Sequence, residues 1–274
     1  MSTSQRSPFT AAITIVALLF LFLPLAVVVL FSFHNVGALS FPFTGFSLRW
    51  YRAVFSSFEF QQAAKNSAYV ALSVAGLTLV LGTMASYGLA RATSRLRAPL
   101  ALLFFLPITL PGLFLGISLL VFFSRLHFTF SLKTVIVGHL VYVFPYFLLL
   151  ARGALERLDP ALEEAASDLG ASPVKVFRRV TLPQVWPILV GASCLAFALS
   201  FDEFIITFFV IGSNNTLPLV IWSRLRRTVD PSIATISTLL LAVSLVLWVI
   251  AFVLTIRTER RRARTLEPLL GEPV

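Results

Sequence analysis

The chain has 274 residues, 58% of them hydrophobic and only 12% charged, with 27 phenylalanines and a mean hydropathy of +0.91. Soluble domains carry about 25% charged residues, so this chain cannot coat a soluble globule, and disorder requires the opposite bias. The excess of 22 Lys and Arg over 12 Asp and Glu, net +10, reads in such a chain as a record of membrane topology rather than of nucleic-acid binding. Cys194 is the single cysteine and the three histidines are scattered, which excludes a disulfide framework and a His/Cys metal cluster.

Residues 1–10 are rich in Ser and Thr and are expected to form a short tail. A first apolar run, 11–33, is too long for the 7–15-residue apolar region of a secretory leader, and no small-x-small cleavage site follows it. It reads as an uncleaved membrane anchor. Between it and Lys65, Trp50, Tyr51 and several phenylalanines suggest an interfacial segment, with an amphipathic helix over Phe46–Phe55. The second span covers 66–90, closed by Arg91, and the third covers 99–123. In the third, Pro107, Pro111, Gly112 and Gly116 predict a kinked, closely packed helix. The fourth, 134–151, holds Pro145 and His139, the latter read as a hydrogen-bonded interior histidine rather than a proton relay. The fifth, 186–210, is interrupted by Asp202 and Glu203, and Cys194 within it reads as a packing residue. The sixth, 232–256, opens after Asp230-Pro231 and ends in a basic tail, 257–274. About 20 apolar residues cross a bilayer, so the expectation is an all-α integral membrane protein with six transmembrane helices in one domain, 11–256.

Lys/Arg counting orients it. With the N-terminus inside, Arg6, the Arg91–Arg97 segment, the loop after the fourth span and the C-terminal tail hold fourteen of the basic residues. The outer segments hold eight: Arg49, Arg52, Lys65, Arg125, Lys133, Arg224, Arg226 and Arg227. Both termini are therefore expected in the cytoplasm.

The loop 152–183 is the one long segment that mixes both signs of charge. Asp159 is a good N-cap, Pro160 suits the first helical position, and Gly170 offers a left-handed C-terminal cap. Ser172-Pro173 restarts the pattern, Val176 and Val180 stand four apart, and Pro183 is expected to close the unit. Two short helices joined by a glycine turn result. Such a pair suits a membrane-surface helix whose arginines meet anionic headgroups as well as it suits protein docking. The spacing separates the two. Glu164-Ala165-Ala166, three residues, Gly170, nine residues, then Val180-Thr-Leu182-Pro183 resembles the EAA loop of ABC-importer permeases, E-A-A, three residues, G, nine residues, I-x-L-P. Val180 in place of Ile is the one departure.

That resemblance implies a type I ABC-importer permease fold, with these seven residues forming coupling helices that sit in a cleft of a cytoplasmic ATPase. The chain has no G-x-x-x-x-G-K-[ST] phosphate loop, so ATP and Mg would belong to that partner and this subunit would be non-catalytic. One such loop per subunit implies a second, related permease subunit, two ATPase subunits and an extracytoplasmic substrate-binding protein, in a bacterial inner membrane. In the family, outer loops meet the binding protein, which makes Arg49, Arg52 and Arg224–Arg227 candidate contacts.

Inside the fifth span, a charge near the bilayer centre costs about 2.5–3.5 kcal/mol, so Asp202 and Glu203 must face a partner or a water-filled path. On a straight helix Ser200, Glu203 and Thr207 share a narrow small and polar stripe with Ser193 and Ala196. Glu203 is then expected to face the path, and Asp202 to border it or pair with an arginine. The stretch Ser200–Val210, with Asn215-Thr-Leu-Pro218 and Ile221-Trp-Ser223, resembles the second permease subunit of spermidine/putrescine importers, over essentially the whole chain. The resemblance implies a polyamine-like cationic solute drawn by these carboxylates, with Phe201, Phe204, Phe208, Tyr142, Tyr146 or Trp222 offering apolar or cation–π faces. Permeases for opines, aminophosphonates and carboxylates look alike over the same segment. An ion-coupled transporter or channel with Asp202/Glu203 as its ion site is the alternative from another class, although it needs no EAA lever.

Overall fold

The computed structural model of the chain describes residues 8–37, 42–91, 93–227 and 230–266, and among them it is helical with no strand, only a single antiparallel bridge between His34 and Phe46. Most of the expected N-terminal tail and the last residues of the basic tail, 267–274, lie outside the described residues. The helices are α1 (Pro8–Ser32), α2 (Arg49–Ser56), α3 (Phe58–Leu77), α4 (Thr83–Arg91), α5 (Arg97–Thr109), α6 (Gly112–Arg125), α7 (Leu132–Glu156), α8 (Pro160–Asp168), α9 (Pro173–Val176), α10 (Leu182–Phe201), α11 (Ile205–Val210), α12 (Leu217–Arg227) and α13 (Pro231–Leu266). Two wide π turns, Thr78–Gly82 and Phe177–Thr181, make α3–α4 and α9–α10 continuous. Among the described residues, Phe9–Ser32, Phe58–Arg91, Leu132–Glu156 and Pro173–Phe201 are long and apolar enough to cross a bilayer. The pair α5 and α6 makes a fifth crossing only if counted as one broken span.

The third apolar run is not a kinked helix but two helices bent by 108°. Leu110 precedes Pro111, whose ring crowds the residue before it out of helical geometry. Leu110 is accordingly extended at φ −89°, ψ 129°, α5 stops at Thr109, and Gly112 restarts the helix. The fifth run also differs: α10 ends at Phe201 and a separate short helix begins at Ile205.

The chain divides into two compact units. In the first, which joins the described residues up to Gln62 with Val220–Ala242, α1 leaves most of its apolar residues exposed and is pinned at its end. Ser32 shares a 2.8 Å hydrogen bond with Tyr51, and its carbonyl accepts from the Thr235 hydroxyl at 3.2 Å. Trp50 Nε1 donates to the His34 carbonyl at 2.9 Å, which fixes the amphipathic α2 with Val54 buried beneath it. Arg224 is committed inside this unit, 3.0 Å from Glu59 and hydrogen-bonded to Ser232, while Arg226 lies over the Trp222 ring at 4.7 Å. Arg52 and Arg227 are exposed.

In the second unit α7 is the spine. Its first half, with Val135, Ile136 and Val143, packs with Leu115 and Leu119 of α6, Ile206 and Val210 of α11 and Val70 and Val74 of α3. Its second half, with Phe147, Ala151 and Leu155, packs with Val185, Leu189 and Ala192 of α10. Two small residues permit the close approach to α11. A Cβ on Gly116 would meet the Phe209 ring at 2.7 Å, and one on Gly138 would meet Ile206 at 3.0 Å. That agrees with dispersion and close backbone contact, rather than water exclusion, holding helices together in lipid.

Candidate functional site

Two places in the second unit carry chemistry that its packing does not require. The first is the loop 152–183. Asp159 Oδ1 accepts from the Ala161 N–H at 3.0 Å and Pro160 opens α8. Gly170 ends the turn at φ +81°, with the N–H of Ala171 reaching back to the Ala166 carbonyl at 3.1 Å. Nothing lies within 4 Å of where a Gly170 Cβ would sit, so the left-handed backbone, not space, requires glycine there.

From Ser172 onward the loop departs from expectation. Pro183 does not close the unit; it falls in the first turn of α10, and helix runs from Pro173 to Phe201 through the π turn 177–181. A proline inside helix removes one i→i−4 bond and crowds the carbonyl four residues back, and a wide turn just before it accommodates both. The π turn also breaks the four-residue alignment of Val176 and Val180. Val176 is buried with Thr181, five positions on, while Val180 is only half-buried.

Of the seven motif residues, Glu164, Ala165, Gly170 and Pro183 are exposed, and Ala166, Val180 and Leu182 are partly covered. Around them Leu162, Val174 and Leu169 are exposed, Leu169 at 90%. Glu164 has its neighbour as a contrast. Glu163 lies half-buried, binds Arg91 with both oxygens at 2.9 and 3.2 Å, and accepts from the Thr181 hydroxyl at 2.6 Å. Sequence reading missed this residue because its partner lies 72 positions away. No local spacing marks such a pair.

The second place is the break between α10 and α11. His139 of α7, 1% exposed, reaches across it. Its Nδ1 lies 2.8 Å from Ser200 Oγ on the last turn of α10, and its Nε2 lies 2.7 Å from Thr207 Oγ1 on α11. Thr207 donates its one hydroxyl hydrogen to the Glu203 carbonyl at 2.9 Å. The network therefore assigns the proton to Nε2, which donates to Thr207, and leaves Nδ1 to accept from Ser200. The interior histidine expected from sequence is thus the strap that holds two helix ends together.

This geometry redistributes the acidic-stripe residues. Ser200 and Thr207 are buried at 3% and 0% and hydrogen-bonded to His139, so they do not face an open path. The single straight stripe assumed an unbroken helix, and the helix ends at Phe201. Glu203 is half-buried and its Oε1 accepts from the Ile206 N–H at 2.8 Å, capping α11. Asp202 is the exposed carboxylate. Among the described residues neither pairs with a basic side chain: the four ion pairs join Arg91 to Glu163, Arg97 and Arg152 to Glu156, and Arg224 to Glu59. Tyr142 lies edge-on to Tyr146, ring centres 5.7 Å apart. Phe204 packs on Phe208, while Phe201 is buried against Phe197.

A helical membrane protein with an uncovered helix pair in one loop and unpaired carboxylates at a break in one apolar helix has the parts of a transport subunit. The chain belongs to the binding-protein-dependent transport system inner membrane component family, whose pattern matches residues 78–263. It is 32% identical to the putrescine transport system permease protein PotI of Escherichia coli (strain K12), over 271 residues and 96% of each chain. It is 29% identical to the spermidine/putrescine transport system permease protein PotC of Haemophilus influenzae, over 86% of this chain and 92% of that one. Among solved structures, the fold matches a bacterial ABC transporter involved in alginate import with a TM-score of 0.65 at 15% identity, covering 95% of this chain and 96% of that chain. It also matches the MetNI methionine ABC transporter at TM-score 0.57 and 17% identity, over 75% and 96%. The chain is an ABC-importer permease, a membrane component of the inner membrane.

Proposed function

We propose that the chain is one of two membrane-spanning subunits of an ATP-driven importer for a small polycation of the putrescine or spermidine kind. The observation that carries the solute class is the pair Asp202 and Glu203, placed at a helix break in an apolar run with no basic partner among the described residues. Carboxylates held in a membrane need a cation or water, and a diamine presents an ammonium at each end. Asp202 meets the solute; Glu203 spends one oxygen on capping α11 and offers the other. Ser200 and Thr207 hold the break in shape through His139. The names of the relatives, putrescine and spermidine permeases, support the same solute.

Coupling falls to Glu164, Ala165, Ala166, Gly170, Val180, Leu182 and Pro183. The apolar side chains exposed around them, Leu162, Leu169 and Val174, form the surface a cytoplasmic ATPase covers. ATP and Mg are bound by that partner. A second permease subunit, a second ATPase and an extracytoplasmic binding protein complete the assembly, and rocking of the membrane helices moves the solute. In this reading the chain crosses six times with both termini cytoplasmic. The broken α5–α6 pair counts as one crossing and α13, at 36 residues and about 54 Å, is long enough for another.

The test is uptake of labelled putrescine and spermidine by the reconstituted complex, with unlabelled carboxylate and aminophosphonate solutes as competitors. Putrescine and spermidine are expected to compete, and Asp202→Asn is expected to raise the KM for putrescine about tenfold, the loss of about 1.4 kcal/mol of binding, with a smaller effect from Glu203→Gln. Wild-type KM values in both variants remove the pair from the path. Competition by the anionic solutes alone assigns another substrate.

A further inference from the structure

The motif residues present a surface outward, but a surface alone moves nothing. We infer that Glu163, together with Arg91 and Thr181, is the joint through which displacement of α8 reaches the membrane helices, an inference that rests on the coupling reading of loop 152–183. Three helices meet at one carboxylate. Glu163 points away from the exposed Leu162, about 100° round α8 from it, and its side chain is 15% exposed. Both of its oxygens bind the guanidinium of Arg91, the last residue of α4, at 2.9 and 3.2 Å. The oxygen at 3.2 Å from Arg91 also accepts from the hydroxyl of Thr181, fully buried in the π turn that feeds α10, at 2.6 Å.

The geometry suits a joint rather than a surface ornament. A two-point carboxylate–guanidinium contact fixes orientation as well as distance, so rotation of α8 is passed on and not absorbed. The other cross-helix ion pair on this side, Arg97 with Glu156, is single-point and 40% exposed on both partners, and solvent screens such a pair. α8 itself packs against α9 and the π turn, on the α10 side; the Arg91 fork is what ties it to α4. The triangle is closed by Tyr87 of α4 against Phe177 of the π turn, ring centres 4.8 Å apart.

Both receiving helices contain a π turn, at Thr78–Gly82 and at Phe177–Thr181. A π turn is an irregular point in the hydrogen-bond ladder and a place where a helix yields first. A pull on Thr181 acts on the yielding segment of the helix that ends at Phe201, just before Asp202. Glu163 is thus a positioning residue: it acts by linking the loop to α4 and α10.

The experiment compares Glu163→Gln, Arg91→Lys, Thr181→Val and the reversed pair Arg91→Glu/Glu163→Arg in the full reconstituted complex with its ATPase and binding protein. The readout is solute transported per ATP hydrolysed, normalised to assembled complex. A purely structural role lowers the amount of complex and leaves that ratio alone. The ratio is expected to fall at least tenfold in Glu163→Gln and Arg91→Lys, severalfold in Thr181→Val, and to recover to at least half of wild type in the reversed pair. A wild-type ratio in Glu163→Gln overturns the joint, as does a reversed pair no better than Glu163→Gln. Failure of the coupling reading is visible beforehand, since wild-type complex would then show no ATPase bound to the permease, and the joint falls with it.

Discussion

Replacing His139 with alanine is expected to destabilise the purified permease by about 3 kcal/mol, and the source of the loss decides what else follows. His139 is buried and makes two hydrogen bonds, to Ser200 and Thr207. Hydrogen bonds between membrane helices average about 0.6 kcal/mol and rarely exceed about 1.7, so the two together account for roughly 1 kcal/mol. Thr207 keeps its bond to the Glu203 carbonyl, which limits the loss further. The larger share, about 2 kcal/mol, comes from the cavity left by the ring. Leucine refills most of that volume and bonds to nothing. His139→Leu is therefore expected to unfold thermally closer to wild type than His139→Ala does, yet to lose transport as severely, because the side-chain link from Ser200 of α10 to Thr207 of α11 is gone. His139→Asn, which supplies one donor and one acceptor on a shorter arm, is expected to retain part of both. Thermal unfolding in detergent and putrescine uptake, measured on the same three variants, separate the two effects. Wild-type uptake in His139→Leu would reduce the histidine to a filler of space.

What could be read from sequence was what depends on neighbours in the chain. Asp159, Pro160 and Gly170 act within a few residues of themselves, and all three were legible with their roles. The apolar runs were legible too, since length and charge alone define them. Their breaks were not. Pro107, Pro111, Gly112 and Gly116 announced a kink, but a bend of 108° also depends on Leu110 being driven extended and on α6 packing close to α11 at Gly116. At Asp202 the helix period was followed straight through. Nothing local ends α10 there: no proline or glycine stands between Phe201 and Ile205. The break is held instead by Glu203 capping α11 and by His139, which lies 61 and 68 positions from its two partners. Glu163 illustrates the same limit from the other direction, since its importance lies in Arg91 and Thr181, brought to it by folding. The residues whose roles are contacts within one turn were visible; of the contacts between helices, only that His139 is buried and hydrogen-bonded was legible, not with which partners.

Leu169→Asp is expected to leave the permease as stable as wild type and to abolish its association with the ATPase. The side chain is 90% exposed at the end of α8, so removing it costs the isolated fold nothing that burial supplied, and an aspartate there meets water on every side. Its consequence appears only when a partner covers it. Closing an apolar interface over a carboxylate forces the charge out of water, which costs several kcal/mol when no partner charge is provided; even about 2.7 kcal/mol is a hundredfold in affinity. Gly170→Val probes the same surface from the backbone. At φ +81° with open space around the missing Cβ, valine brings no clash but a strain of about 1–2 kcal/mol, and relief of that strain swings α8 relative to Ser172. Co-purification of the ATPase with tagged permease is expected to fall at least a hundredfold in Leu169→Asp and partly in Gly170→Val, with thermal unfolding of the permease alone unchanged in the first and lowered in the second. Glu164 is exposed as well, and Glu164→Lys changes charge without burying it in the free subunit, so it too should weaken capture while sparing the fold. If Leu169→Asp still captures the ATPase at wild-type levels, the uncovered apolar face of α8 is not where the partner binds, and the seven-residue motif has to be assigned a role inside the membrane subunit itself.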